Sequence, residues 1–101
     1  MKRFILTEEA EEHAFQIWKY LAAAADQRVA DTFLAQIHDA CDKLVDSPGH
    51  GHPDEDLLDE RHRFYRVGSY RVVYRWQAQP LEVVAIVHGS RDLAAFFRDY
   101  K

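Results

Sequence analysis

A single cysteine, Cys41, stands in the 101 residues. One thiol excludes an internal disulfide and suits a reducing cytoplasm. Cys41 falls on the apolar side of a predicted helix, where it reads as a small core residue rather than a nucleophile. No apolar run approaches the roughly 20 residues that a membrane span needs. Met1-Lys-Arg-Phe-Ile-Leu6 gives way to Thr7, Glu8 and Glu9 before an apolar leader forms, so neither a signal peptide nor a membrane association is expected. The patterns G-x-x-x-x-G-K, G-x-S-x-G and H-E-x-x-H are missing, which leaves nucleotide hydrolysis and the usual hydrolase chemistries without support. His50, His52, Asp54, Asp56 and His62 crowd one stretch, but their spacing matches no standard zinc pattern and no cysteine joins them. That stretch reads as a solvated polar loop, and no metal or cofactor is expected. Repeats, low-complexity tracts and linkers are also missing. The length suits one core, so one domain over 1–101 is expected.

What is present is unevenly distributed. Residues 1–60 hold 5 Lys/Arg against 14 Asp/Glu, while residues 61–101 hold 8 against 3. The formal net charge of −4 thus hides an acidic front and a basic back. A field divided in this way steers an anionic partner toward the basic half.

Periodicity divides the chain at about residue 60. Phe4 to Leu6 reads as a short strand. Thr7 is a good N-cap, and Glu8, Glu9, Glu11 and Glu12 follow where the helix dipole favours negative charge. Ala10, Ala14, Ile17, Leu21 and Ala24 then recur at helical spacing, with Phe15 and Trp18 at the edge of that face. Asp26 caps a second helix whose apolar set is Ala30, Phe33, Ile37, Ala40, Cys41 and Leu44. So short a connection forces an antiparallel hairpin. Ser47-Pro-Gly-His-Gly-His-Pro53 ends the second helix. From Arg63 the period becomes two, with turns at Gly68-Ser69 and Gln77-Ala-Gln-Pro80. Val83 to Val87 is apolar throughout, as in a central strand covered on both faces. Asp92 to Tyr100 suits a short terminal helix. The expected architecture is α+β: an N-terminal strand at a sheet edge, a two-helix hairpin over one face, a three-stranded antiparallel meander, and a short C-terminal helix.

The meander carries the candidate chemistry. Arg63, Arg66, Arg71, Arg75 and Arg91 are expected to gather on the sheet face away from the hairpin. Arg71 and Arg75, four apart on one strand, share a face. Guanidinium groups clamp phosphates or carboxylates in bidentate fashion and keep their charge. Tyr65, Tyr70, Tyr74 and Trp76 either stack on nucleobases or simply pack across strands. His88 ends the last strand before Gly89. It is either a working group that titrates near neutral pH or a lock for the turn.

In order and spacing, these pieces resemble the ParE/RelE superfamily of type II toxin–antitoxin toxins, and the ParE branch in particular. The resemblance rests on Ile17 and Tyr20, on Ala30, Phe33 and Ile37, on Ser47-Pro-Gly with Gly51, on Arg63, on Tyr70-Arg-Val-Val-Tyr74 and on Val84-Ala-Ile-Val-His-Gly-Ser-Arg-Asp92. It implies one of two activities. RelE-like members cut mRNA on the ribosome without a metal, and Arg71 and Arg91 align with cations that branch uses. His88 and Tyr100 would then be the proton-moving groups, because Phe97 stands where that branch has its tyrosine. ParE-like members catalyse nothing and poison DNA gyrase, which blocks replication. The missing acid–base set fits this second route, and the expected target-binding residues are Arg63, Arg71, Arg75, His88 and Arg91. A third possibility is an inactive relative that keeps only its antitoxin-binding role.

The resemblance further implies a cognate ParD-like antitoxin with a ribbon-helix-helix part, joined to the toxin in a hetero-oligomer. Its tail would add a strand beside Lys2–Leu6 and lay an amphipathic helix by the hairpin. Phe4, Phe15, Trp18 and Phe96 are the expected apolar anchors.

Overall fold

The computed structural model describes residues 3–51 and 60–89. Strand β1 is Phe4–Leu6, helix α1 is Glu8–Ala24 and helix α2 is Gln27–Asp46. A 3₁₀ turn follows at Pro48–His50, then β2 at His62–Val67, β3 at Tyr70–Arg75 and β4 at Leu81–His88. The expected terminal helix over Asp92–Tyr100 lies outside the described residues.

Local chemistry sets the helix ends where the sequence places them. The Ala10 N–H donates to Thr7 Oγ1 at 3.2 Å, and Glu8, Glu9 and Glu11 occupy the first turn of α1. The Val29 N–H donates to the Asp26 carboxylate at 2.9 Å, so α2 starts two residues after α1 stops. Capping side chains of this kind satisfy N–H groups that no earlier turn reaches, each worth about 1 kcal/mol. The reversal leaves α1 and α2 antiparallel, as expected.

The four strands form one sheet in the order β1-β4-β3-β2, with β1 parallel to β4 and the other pairs antiparallel. Gly68 makes the β2–β3 turn with φ at +59°, which a residue without Cβ adopts freely. A bulge near Val84 rephases β4 against β3. Leu81 and Val83 before it, and Ile86 after it, consequently face the helices. They pack there with Val72 and Tyr74 against Ala10, Ala14, Phe33, Ile37, Cys41 and Leu44. The small Ala10 and Ala14 let α1 lie close over β4. Each fully buried aliphatic in this layer contributes roughly 1.5–3 kcal/mol.

The opposite face of the sheet differs from the sequence expectation. Val73, Val84, Ala85 and Val87 form a second apolar cluster there, only 0–4% exposed, with Phe64 packed against it. This is not an uncovered cationic surface. The expectation of a central strand buried on both sides was correct, and it conflicts with that of a bare face beside it.

Helix α1 also closes part of a strand edge. β1 spans only three residues and, among the described residues, leaves the rest of β4 without a strand neighbour on that side. Thr7 Oγ1 donates to the Val84 carbonyl at 3.3 Å, and the Ile86 N–H donates to His13 Nδ1 at 3.2 Å. Buried backbone groups are thereby satisfied from the helix.

Candidate functional site

The meander's register assigns each cation to a face. Arg66 lies opposite Arg71, and Arg75 is two residues beyond Val73, all on the face away from the helices. The Arg71 guanidinium lies over the Phe64 ring at 4.8 Å. The Arg75 Nη1 reaches the Glu82 carboxylate at 3.3 Å, a cross-strand ion pair on the same face.

Arg63 is a correction to the expected set. It pairs with Tyr74 in the register and faces the helix side. Its Nη1 donates to the Gly49 carbonyl at 3.0 Å and to the Gly51 carbonyl at 3.2 Å. Its guanidinium stacks over Trp76 at 4.3 Å, and the Trp76 indole N–H donates to the Glu60 carbonyl at 2.9 Å. Two carbonyls and a ring hold the group against the segment after α2, on the helix side of the sheet. Alternation alone contained this signal, because Arg63 is an odd number of residues from Phe64 and Arg66.

Tyr74 completes the same latch. Its hydroxyl donates to the Pro48 carbonyl at 2.7 Å and accepts from the Gly51 N–H at 2.9 Å. Burial pushes its phenol pKa up, opposed by the Gly51 hydrogen bond and by the Arg63 charge. A Cβ at Gly51 would stand 2.2 Å from the Tyr74 hydroxyl oxygen and 2.9 Å from the Phe64 carbonyl. The Ser47-Pro-Gly…Gly51 signature, Arg63 and Tyr74 are thus one device, which ties the segment after α2 to the sheet.

His88 sits at the far end of β4, opposite Tyr70 in the register, and its ring meets the Tyr70 ring edge-on at 5.5 Å. Tyr70 in turn meets Phe33 edge-on at 5.2 Å, and burial raises its phenol pKa. His88 therefore belongs to an aromatic stack on the helix side. Neighbouring Gly89 fixes the turn by donating its N–H to the Ser69 carbonyl at 2.7 Å. Arg71 and Arg75 lie on the other side of the sheet, and Arg91 and Tyr100 are outside the described residues. Among the described residues, the expected cations and His88 do not come together at one point.

A different flank is assembled from the N-terminal half. The Leu81 N–H donates to the Arg3 carbonyl and the Thr7 N–H to the Val83 carbonyl, so Arg3, Ile5 and Thr7 direct their backbone at β4. Strand alternation then points the N–H and C=O groups of Phe4 and Leu6 away from the sheet, at an edge that no described strand covers. Beside that edge runs a groove of about 470 Å³ lined by Arg3, Phe4, Leu6, Glu11, His38 and Asp42. The Phe4 ring meets the His38 ring edge-on at 5.4 Å, and His38 Nδ1 lies 3.4 Å from the Asp42 carboxylate. Arg3 is paired with Asp46.

From this groove the hairpin's outer seam carries the surface onward. Glu11 and His38 line it at one level, and the Trp18 indole N–H donates to Asp31 at 2.9 Å two helical turns away. Between these two levels fall Phe15 and Leu34, 52% and 40% exposed. Lys19 lies over the Phe15 ring at 5.3 Å. Three of the four expected apolar anchors, Phe4, Phe15 and Trp18, thus share one flank, and Phe96 lies outside the described residues. Leu34 was missed, although its position between Asp31 and His38 on α2 places it on this stripe. No group of three or more metal-ligating side chains occurs among the described residues.

A hairpin on one face of a β1-β4-β3-β2 sheet is the fold of a structure titled "Chromosomal ParDE TA system from P. aeruginosa". The likeness has a TM-score of 0.72 at 13% identity, over 84% of this chain and 92% of that one, and at this identity it is a likeness of fold. A family model described as the ParE toxin of type II toxin–antitoxin systems, parDE, matches residues 4–93, and the chain belongs to that family. No curated protein matches it. None of the described helices is long and apolar enough to cross a membrane.

Proposed function

We propose that this chain is a ParE-like toxin that inhibits DNA gyrase in the cytoplasm, stabilising its DNA-cleaved state, and that a cognate ParD-like antitoxin neutralises it in a hetero-oligomer. The observation that carries the gyrase reading over RNA cleavage is the dispersal of the cations. Metal-free cleavage of RNA needs a base, an acid and cations converging on one phosphorane. Here Arg63 is bound within the latch, Arg75 is paired to Glu82, and His88 and Arg71 occupy opposite faces. That arrangement supports action by contact rather than by proton transfer. Arg71, Arg75, His88 and Arg91 remain the proposed target contacts.

Antitoxin binding is proposed for the other flank, with a strand added at Phe4–Leu6 and apolar contacts to Phe4, Phe15, Trp18 and Phe96. Expression of the chain alone is expected to arrest growth with DNA breaks. Co-expression of the reading frame beside it is expected to restore growth. Arrest with intact DNA and cleaved mRNA would favour the ribosome-dependent endonuclease, and normal growth with folded protein present would remove the toxin reading.

A further inference from the structure

We propose that the groove beside β1 selects its occupant by charge: Glu11 and Asp42 receive a Lys or Arg side chain from the antitoxin segment that pairs with Phe4 and Leu6. This rests on the antitoxin reading above and specifies the chemistry of the partner. Phe4 and Leu6 pack toward the helices. Residues of an added strand directly across from them face the same way, because side chains alternate between faces. They therefore meet Glu11, His38 and Asp42, which line the groove on that side.

The charges there do not cancel. Arg3 is matched by Asp46. His38 stands beside Asp42, whereas the Glu11 carboxylate makes neither an ion pair nor a hydrogen bond with any described residue. Beside the matched Arg3–Asp46 pair, the described residues of the groove hold the two carboxylates of Glu11 and Asp42. An acidic segment would meet repulsion, and so would a second copy of this chain, whose own Glu11 and Asp42 would approach. A strand with one cationic side chain among apolar ones fits both the apolar wall and the carboxylates.

The test uses the full chain and the purified protein encoded by the adjacent reading frame, titrated calorimetrically at low and high salt. Glu11→Gln and Asp42→Asn are each expected to weaken binding about fivefold, and less at high salt, while each variant, though slightly less stable, stays folded at the titration temperature. Glu11→Lys should weaken it further, and reversing the partner's cation to Glu should restore affinity to that variant. Unchanged affinity in all three variants, with a loss in Phe15→Ala, would overturn the charge selection and leave the antitoxin reading standing. No binding by the wild-type chain would remove both.

Discussion

The Tyr74 latch makes the sharpest structural prediction. Tyr74→Phe removes one oxygen and leaves two groups without their partner, the Gly51 N–H at 2.9 Å and the Pro48 carbonyl at 2.7 Å. A buried unsatisfied group costs about 1–3 kcal/mol. Gly51 is buried and bears that cost, while the half-buried Pro48 can recruit water. The variant should lose about 2 kcal/mol, which lowers the melting temperature of a chain this size by roughly 8–16 °C. Gly51→Ala attacks the same point sterically, with its Cβ 2.2 Å from the Tyr74 oxygen, and should cost about 1–3 kcal/mol. Because the worst contact is with the oxygen that Tyr74→Phe deletes, the double variant should cost less than the two singles together, by about 1 kcal/mol. Urea unfolding of all four proteins measures the cycle. A Tyr74→Phe loss under about 0.5 kcal/mol, or strictly additive singles, would refute the latch.

Arg63→Met should destabilise by about 2 kcal/mol in thermal unfolding, because two carbonyls lose their donor and Trp76 loses its cation. Phe15→Ala, at a half-exposed site, should change stability by no more than about 0.5 kcal/mol yet weaken antitoxin binding. Burial pushes the Cys41 thiol up to about 12, so a thiol reagent at pH 8 should label it only after unfolding. The same shift makes folding favour the protonated thiol. Its contribution is fully present below the unfolded pKa of about 8.5 and is lost as pH rises toward 12, so melting temperature should fall over that range and Cys41→Ala should flatten the decline.

The fold was legible because its signals are local. Thr7 and Asp26 cap helices that their own neighbours need, and the change of period at Arg63 marks the change to strands. The parallel pairing of β1 with β4 is legible only as an edge position, since register depends on partners 77 residues apart, such as Phe4 and Leu81. The site was less legible. Counting arginines found a cationic meander but not the side each one faces. Simple alternation would have turned Arg63 inward, and its destination at Gly49 and Gly51 is a tertiary contact. His88 was read as two open alternatives, and the structure gives it an aromatic neighbour, Tyr70. The flank of α1 was easier to read, because helical spacing already puts Glu11, Phe15 and Trp18 on one stripe.

Purified protein added to gyrase and supercoiled plasmid tests the central claim most directly. Linear, gyrase-cleaved DNA should accumulate with the wild-type chain, and accumulate less with an Arg71→Ala variant that remains folded at the assay temperature. Supercoiling that proceeds without cleaved product, while the same protein cuts mRNA on translating ribosomes, would contradict it.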